Sequence, residues 1–297
     1  MKTIKIFLCL FMLLGAFISP IFSQTDTSEV TDNRPVKSTF ETYMLIDNQT
    51  VTSPYKGSLS LLVQHRFGSI ENGITDLFGI YAGANTRLGL EYGITDRIMV
   101  GVGTTQDYKL QDVEWKYAIL RQTRSNSMPV SLSYYGNMVI DASEEENFGP
   151  EESYKFIHRI SYFTQLIVSR KFSNVFSFQV APELAYYNGV DQSIENVNLG
   201  VSFGGRAKVW GDKSIIVEYD QPLTKHEAFD PKSNLGVGFE IGTATHAFQF
   251  FISNYHDIVY QRNLVYNQPN NPKSDDNPDE YKLFNKFQLG FNITIRF

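Results

Sequence analysis

Hydrophobic and polar residues alternate one by one along most of the chain. The last eleven residues, FQLGFNITIRF, show this clearly, because the apolar side chains from Phe287 to Phe297 are separated by glutamine, glycine, asparagine, threonine and arginine. A period of two places successive side chains on opposite faces of a β-strand. About twelve such segments follow one another between Gly57 and Phe297. The pattern therefore predicts an all-β chain of about twelve strands.

The connections between these segments alternate in length. Short joins such as GITDR (93–97) and WGDK (210–213) alternate with longer polar ones, such as the stretches that begin at Asp141 and Asn254. Short periplasmic turns and long extracellular loops are typical of transmembrane up-and-down antiparallel β-barrels. We predict such a barrel over residues 57–297. The predicted strands are Gly57–Phe67, Asn85–Gly93, Ile98–Gly103, Val113–Gln122, Val130–Ile140, Arg159–Ser169, Phe176–Tyr187, Val197–Val209, Ser214–Asp220, Asn234–Gly242, His246–Ser253 and Phe287–Phe297.

A soluble β-sandwich or lipocalin-like barrel also alternates, but the distribution of charge disfavours it. The apolar faces are almost free of charge, and a barrel of twelve strands is too wide for apolar side chains to fill. A basic residue facing mid-bilayer costs about 2–4 kcal/mol, so the apolar set faces lipid and the charged set faces the lumen. The predicted lumen-lining residues are Arg66, Arg87, Glu91, Glu114, Lys116, Arg159, Glu183, Arg206, Lys208, Glu218, Asp220 and Glu240, with Arg296 at the lumen mouth.

The predicted lumen carries nearly balanced charge, with seven basic and six acidic side chains. Balanced charge in a confined space favours cross-barrel ion pairs and hydrogen-bond networks, whereas a ring of one sign would indicate ion selectivity. Two interpretations stay open here. The lumen is either a small polar pore or an interior packed by its own charges for stability.

The N-terminal residues predict export. Lys2 and Lys5 precede an apolar run and the small residue Ser23, which is the layout of a signal peptide over residues 1–23. Residues 24–56 form a periplasmic segment, and the sequence leaves open whether residues 40–54 enter the barrel. The single cysteine, Cys9, lies within the predicted signal, so no disulfide is expected. The net charge of −6 gives no reason to expect nucleic-acid binding.

Residues 69–84 place Ile70, Ile74, Leu77 and Tyr81 at helical spacing, which predicts a short amphipathic helix. It either folds into the barrel mouth as a plug or forms a local cap over strand ends. The acidic loops are expected to be solvated, since they lack the spacing of a calcium loop. The five histidines show no metal-ligand spacing. We predict no catalytic residue, metal site or cofactor.

Two motifs resemble an uncharacterised family of outer-membrane β-barrels. The first is HRFG, at His65–Gly68, and the second is the hairpin from Asn85 to Gly103, which contains RLGLEYGITDR. The resemblance extends over nearly the whole chain after the predicted signal. It implies a barrel in the outer membrane of a Gram-negative envelope, and it implies no reaction or ligand.

The C-terminal strand carries a second prediction. An alternating strand that ends on an aromatic residue resembles the signal read by barrel-assembly machinery, with Phe291, Ile293, Ile295 and Phe297 in the recognised positions. Its backbone is expected to pair with the first strand, since lipid leaves no strand edge unsatisfied. The expected partners are outer-membrane lipid, the assembly machinery and a small solute in the lumen.

These observations predict a narrow porin-like channel or transporter for a small solute. One alternative is a non-conducting structural or binding barrel whose loops engage a partner. A weaker alternative is a lipid hydrolase in the outer membrane, for which His65 on the apolar face would be the first residue to consider.

Overall fold

The computed structural model describes residues 32–149, 152–268 and 287–297. Its strands are β1 (Leu59–Ser69), β2 (Asn85–Gly93), β3 (Ile98–Thr105), β4 (Gln111–Leu120), β5 (Ser131–Ile140), β6 (Ile160–Lys171), β7 (Phe176–Tyr187), β8 (Val197–Trp210), β9 (Lys213–Pro222), β10 (Asn234–Gly242), β11 (His246–Ser253) and β12 (Gln288–Arg296). Each pairs antiparallel with its neighbours in sequence, and β12 pairs with β1 to close the barrel. The predicted fold class is confirmed.

The polar and apolar residues that alternate in the sequence point alternately into and out of the barrel wall. On β2, Leu88 and Leu90 are 49% and 43% exposed, whereas Arg87 before them and Glu91 after them are buried. The register keeps apolar residues together across strands, and Leu61 of β1 lies between Leu90 of β2 and Ile295 of β12. A continuous apolar belt of this kind is suited to lipid and unsuited to water.

The two ends of the barrel differ. The connections after β2, β4, β6, β8 and β10, together with Asp32 and Phe297, lie at one end, which we call the turn end. The connections after β1, β3, β5, β7, β9 and β11 lie at the other, which we call the loop end. The loop-end connection between β11 and β12 contains a short helix, α1 (Tyr260–Tyr266). Among the residues described, no helix has the length and apolar character needed to cross a membrane.

The segment 69–84 does not plug the barrel. It contains a 3-10 helix, Ile70–Asp76, interrupted at Gly73, where φ is +55°. Ile74 and Tyr81 are 82% and 77% exposed, so of the two alternatives, a plug and a local cap, the exposure excludes the plug. The segment returns to the end of β1, where the Gly68 N–H donates to the Gly79 carbonyl. Its exposed apolar side chains, Ile74 and Tyr81, therefore do not fill the barrel mouth.

Residues 36–56 occupy the lumen as a re-entrant loop, which we call the inner hairpin. It enters at the turn end, where the Val36 N–H donates to the Gln122 carbonyl, and returns there before β1 begins. The Leu45 N–H donates to the Asn48 carbonyl, which reverses the chain at the tip. Leu45 and Ile46 are fully buried against the wall. The segment that enters the lumen therefore precedes β1, whereas residues 69–84 follow it.

Candidate functional site: the filled lumen

The tip of the inner hairpin is held by an ion pair to the wall. Arg66 points inward because it occupies an alternate position of β1, and its Nη2 lies 2.6 Å from Asp47 Oδ1. Gln64, two residues earlier on the same face, donates from Nε2 to the same oxygen at 3.2 Å. Both side chains of the pair are almost completely buried. A charge left unpaired at such a site is strongly destabilising.

Carboxylates of β9 receive the donors of the hairpin tip. Glu218 Oε2 accepts the backbone N–H groups of Asp47 and Asn48 at 3.0 and 2.8 Å. Asp220 accepts from the Asn48 side-chain amide. Tyr255, in the connection after β11, donates its hydroxyl to Glu218 Oε1 at 3.0 Å. The tip therefore satisfies wall carboxylates with N–H groups rather than with a full positive charge.

A second charged cluster lies on β2 and β4. Arg87 bridges Asp112 at 2.5 Å and Glu114 at 3.3 Å. Gly103, on the strand between them, leaves room for this, because a Cβ there would overlap the Arg87 guanidinium. Both oxygens of Glu91 are buried without a hydrogen-bond partner among the described residues. Arg87 thus spans two strands to meet its partners.

The stem of the inner hairpin is also fixed by polar contacts. Lys116 Nζ donates to the carbonyls of Thr52 at 2.7 Å and Tyr43 at 3.3 Å, one on each arm of the hairpin. On the opposite wall, Glu240 accepts from Thr42 at 3.1 Å and pairs with Arg206 at 2.7 Å. Hydrogen bonds to charged groups contribute about 1.5–3 kcal/mol each, so the stem is held from two sides.

Helix α1 fills the lumen from the loop end. The Tyr260 ring stacks on Phe163 at a centroid distance of 5.1 Å and meets the edge of Tyr135 at 5.4 Å. Its hydroxyl accepts a hydrogen bond from Gln49 of the inner hairpin at 3.1 Å. The helix packs against β6–β9, and therefore against one side of the barrel. The two inserted segments meet at the Gln49–Tyr260 contact.

Open space remains at both ends of the lumen. A cavity of about 790 Å³ lies at the loop end, lined by Tyr108, Arg159, Tyr187 and Arg262 among others. A cavity of about 620 Å³ lies at the turn end, lined by the hairpin stem, Arg121 and Arg296. The inner hairpin and α1 lie between these two vestibules. The structure therefore shows a lumen that is closed in its middle.

The predicted lumen residues fall into two groups. Those buried within the barrel are Arg66, Arg87, Glu91, Glu114, Lys116, Glu183, Glu218, Asp220 and Glu240. Arg206 is partly buried beside Glu240. Arg159 precedes β6 in the loop-end vestibule, where it donates to the carbonyls of Asp141 and Ser143. Lys208 is 40% exposed at the turn end, 3.8 Å from Asp212, and Arg296 lies there 3.3 Å from Glu41.

The expected balance of charge does not hold in the buried interior. Sequence reasoning missed Asp47, which carries no strand signal, and Asp112, which occupies the position two residues before Glu114 on the same face of β4. Three of the basic residues assigned to the lumen lie at its ends. The buried charged side chains of the described residues are Asp47, Glu91, Asp112, Glu114, Glu183, Glu218, Asp220 and Glu240 against Arg66, Arg87 and Lys116.

The outer wall carries the remaining residues that the sequence singled out. Phe291, Ile293 and Ile295 lie on the outward face of β12, and Phe297 is 71% exposed at the turn end. Their recognition by assembly machinery stays a prediction. His65 stacks on Phe291 at a centroid distance of 5.0 Å. No group of His, Cys, Asp or Glu side chains in the described ranges is arranged to hold a metal ion.

At the loop end, His256 fastens the connection that carries α1. Its Nε2 lies 3.3 Å from Asp107 Oδ2, and its Nδ1 lies 2.7 Å from Gln288 Oε1. The hydrogen bond to the Asp107 carboxylate raises the pKa of His256, against the opposing effect of burial. This titratable group lies outside the strands and joins the β11–β12 connection to the β3–β4 connection and to the first residue of β12.

A closed barrel with an apolar exterior and a charged, hydrogen-bonded interior is a membrane-spanning β-barrel. The chain belongs to the family described as membrane bound beta barrel domain (DUF5777), which matches residues 40–297. The match begins within the inner hairpin. That segment is therefore part of the family domain.

The barrel is also similar to solved structures. The match to the NanC porin covers 80% of this chain and 98% of that porin, with 9% sequence identity and a TM-score of 0.49. The match to the KdgM porin covers 81% of this chain and 98% of that porin, with 9% identity and a TM-score of 0.44. The match to an outer membrane channel from Pseudomonas putida F1 covers 84% of this chain and 98% of that channel, with 11% identity and a TM-score of 0.47. None of the curated proteins compared with the chain matches it.

Proposed function

We propose that this protein is a gated outer-membrane channel for a small solute, with the inner hairpin as its gate. In this proposal the turn end faces the periplasm and the loop end faces outward, as in transmembrane barrels with short periplasmic turns. The observation that carries the proposal is the nature of the hairpin's contacts. Its tip is held by Arg66, Glu218 and Asp220, which are polar groups that water can solvate.

Stability alone does not require such an interior. Replacing a buried ion pair by well-packed apolar residues is often neutral or stabilising by 1–4 kcal/mol. A charged wall is, however, well suited to a lumen that is filled with protein in one state and with water in another. The hairpin enters and leaves at the turn end, so it can withdraw toward that side without threading through the barrel.

In this proposal the route through the loop end runs past helix α1 on the side of β1–β4. The helix packs against β6–β9, whereas the β2 and β4 residues Arg87, Glu91 and Glu114 lie on the opposite side of the lumen. Withdrawal of the hairpin would therefore connect the two vestibules along β1–β4. The passage would be narrow and lined by charge, which suits a small polar solute rather than a folded partner.

A non-conducting binding barrel is the second candidate. The observation that favours it is the continuous filling of the lumen by the inner hairpin and α1, joined by the Gln49–Tyr260 hydrogen bond. In that case the loop-end vestibule would hold a ligand and the hairpin would never leave. The two candidates differ in one measurable property, which is conductance.

A disulfide that ties the hairpin tip to the wall tests the gate. A Cβ built on Gly236 would lie 3.5 Å from Ile46 Cγ2, close to where a cysteine sulfur at position 46 would sit. In a disulfide, with an S–S bond of about 2.05 Å, the Cβ of one cysteine lies about 3 Å from the sulfur of the other, so the 3.5 Å separation is near bonding geometry. The variant Ile46→Cys/Gly236→Cys removes the Ile46 Cδ1 atom that such a Cβ would otherwise meet at 2.6 Å.

The variant is measured in planar bilayers with and without reductant. We expect openings after reduction and none after oxidation, while Ile46→Cys alone opens under both conditions. Absence of conductance from folded, heat-modifiable protein, both wild type and reduced variant, would overturn the channel proposal and leave the binding barrel. Openings that persist in the fully oxidised variant would show that the hairpin is not the gate.

A further inference from the structure

The part of the barrel wall that the inner hairpin covers is acidic, and few basic side chains lie near its carboxylates. Glu183, Glu218 and Asp220, on β7 and β9, form no ion pair with a Lys or Arg side chain among the described residues. Glu183 accepts from Gln165 and Asp220 from Asn234. Together with the tip donors, neutral N–H and O–H groups hold all three carboxylates in the closed state.

Withdrawal of the hairpin would change this balance. Glu218 would lose the two backbone N–H groups of the tip, and Asp220 would lose the Asn48 amide. Asp47 would leave with the hairpin and free Arg66 of its partner. The charged side chains left on the wall would be Glu91, Asp112, Glu114, Glu183, Glu218, Asp220 and Glu240 against Arg66, Arg87, Lys116 and Arg206.

Glu91 supplies a second and independent observation. It faces the lumen from β2, is fully buried, and neither of its carboxylate oxygens has a hydrogen-bond partner in the described part of the chain. A buried carboxylate without donors costs free energy unless a counter-charge compensates it. Lys116 and Arg87 lie nearby, but their hydrogen bonds go to the hairpin carbonyls, Gln64 and the carboxylates of Asp112 and Glu114.

We propose that the open lumen conducts small cations, such as K⁺ or a small organic ammonium ion, in preference to anions. This rests on the channel function proposed above and names its substrate class. Carboxylate-lined pores select cations because the ions replace lost hydration with carboxylate oxygens. Low-dielectric walls strengthen the effect by focusing the field of the charges along the pore. In the closed state the hairpin tip donates hydrogen bonds to the wall carboxylates. In the open state cations would take the place of those donors.

Reversal potentials of the full chain in a tenfold KCl gradient test the proposal. We expect a permeability ratio of K⁺ to Cl⁻ several-fold above one. The variant Glu183→Gln/Glu218→Gln/Asp220→Asn should lower that ratio several-fold, toward one. The matched control, Glu144→Gln/Glu145→Gln/Glu146→Gln, removes the same number of charges from an exposed loop-end connection and should leave it unchanged.

The outcomes separate the two proposals. Absence of openings overturns the channel itself, whereas openings with a wild-type ratio at or below one overturn the cation preference alone. If the triple variant fails to fold, Glu91→Gln is measured instead. No group among the residues that the structure describes donates a hydrogen bond to the Glu91 carboxylate, so its replacement leaves no donor there without a partner. An unchanged ratio in the folded triple variant, or in Glu91→Gln where that replaces it, would show that these carboxylates do not select the ion.

Discussion

Removal of the Asp47 charge should open the channel. In Asp47→Asn the side chain keeps its shape, but Arg66 loses a carboxylate 2.6 Å away at a site where the two side chains are 0% and 3% exposed. Breaking a buried pair in this way costs about 3–5 kcal/mol, because one charge is left uncompensated. The cost falls on the closed state, since water solvates Arg66 once the hairpin withdraws.

That cost sets the size of the effect. Since about 1.4 kcal/mol corresponds to a tenfold change in an equilibrium constant, the ratio of open to closed protein should rise roughly a hundred- to several-thousand-fold. Single-channel open probability in planar bilayers measures this ratio directly. The control is Asp32→Asn, whose pair with Arg34 is 37% and 73% exposed. Exposed pairs contribute about 0–1 kcal/mol, so this variant should shift the ratio several-fold at most.

A double variant isolates the pair. Arg66→Met added to Asp47→Asn removes the orphaned charge, so part of the closed state should return, and the two substitutions should be non-additive. The reasoning would be refuted by an Asp47→Asn protein that folds and is heat-modifiable yet opens no more often than wild type. Equal effects of Asp47→Asn and Asp32→Asn would refute it as well, because they would remove the role assigned to burial.

Three further predictions concern the contact of β2 with the inner hairpin, the loop-end contact of His256 and the ring of Tyr260. In Gly93→Ala the new Cβ would overlap a backbone carbonyl of the inner hairpin, so the thermal midpoint of unfolding should fall, whereas Gly83→Ala, with open space around it, should leave it unchanged. Because the Asp107 contact raises the pKa of His256, its stabilisation is complete below about pH 6.5 and is lost as pH rises through the raised value. The protection factors of residues 254–267, which correct hydrogen-exchange rates for the intrinsic dependence of exchange on pH, should therefore be larger at pH 5.5 than at pH 8.5, and His256→Gln should remove that difference. Tyr260→Ala should destabilise by about 3–5 kcal/mol in chemical unfolding, and Tyr260→Phe by about 1 kcal/mol, since it keeps the ring stack; equal losses would contradict the assigned role of stacking.

The strands and their faces could be read from the sequence because they are local properties. A period of two fixes which side chains share a face, and the predicted bounds of β2, β7, β10 and β11 coincide with the observed ones. The strand number and the alternation of short and long connections follow from the same pattern. Asp112 fits the same alternation but was found only in the structure, because the predicted strand began at Val113, two residues after the observed start of β4 at Gln111.

The filling of the lumen was decided by tertiary structure. The inner hairpin has no periodic pattern, and its contacts join residues that lie far apart in the chain, such as Asn48 with Asp220 and Glu41 with Arg296. Such contacts exist only once twelve strands have closed into a barrel that is wide enough to admit a segment. The acidic excess of the buried interior was also found only in the structure, because Asp47 lies in the inner hairpin and three of the basic residues assigned to the lumen lie at its ends. The sequence by itself determined the wall, because each strand's faces are set locally, and closure of the barrel decided what fills it.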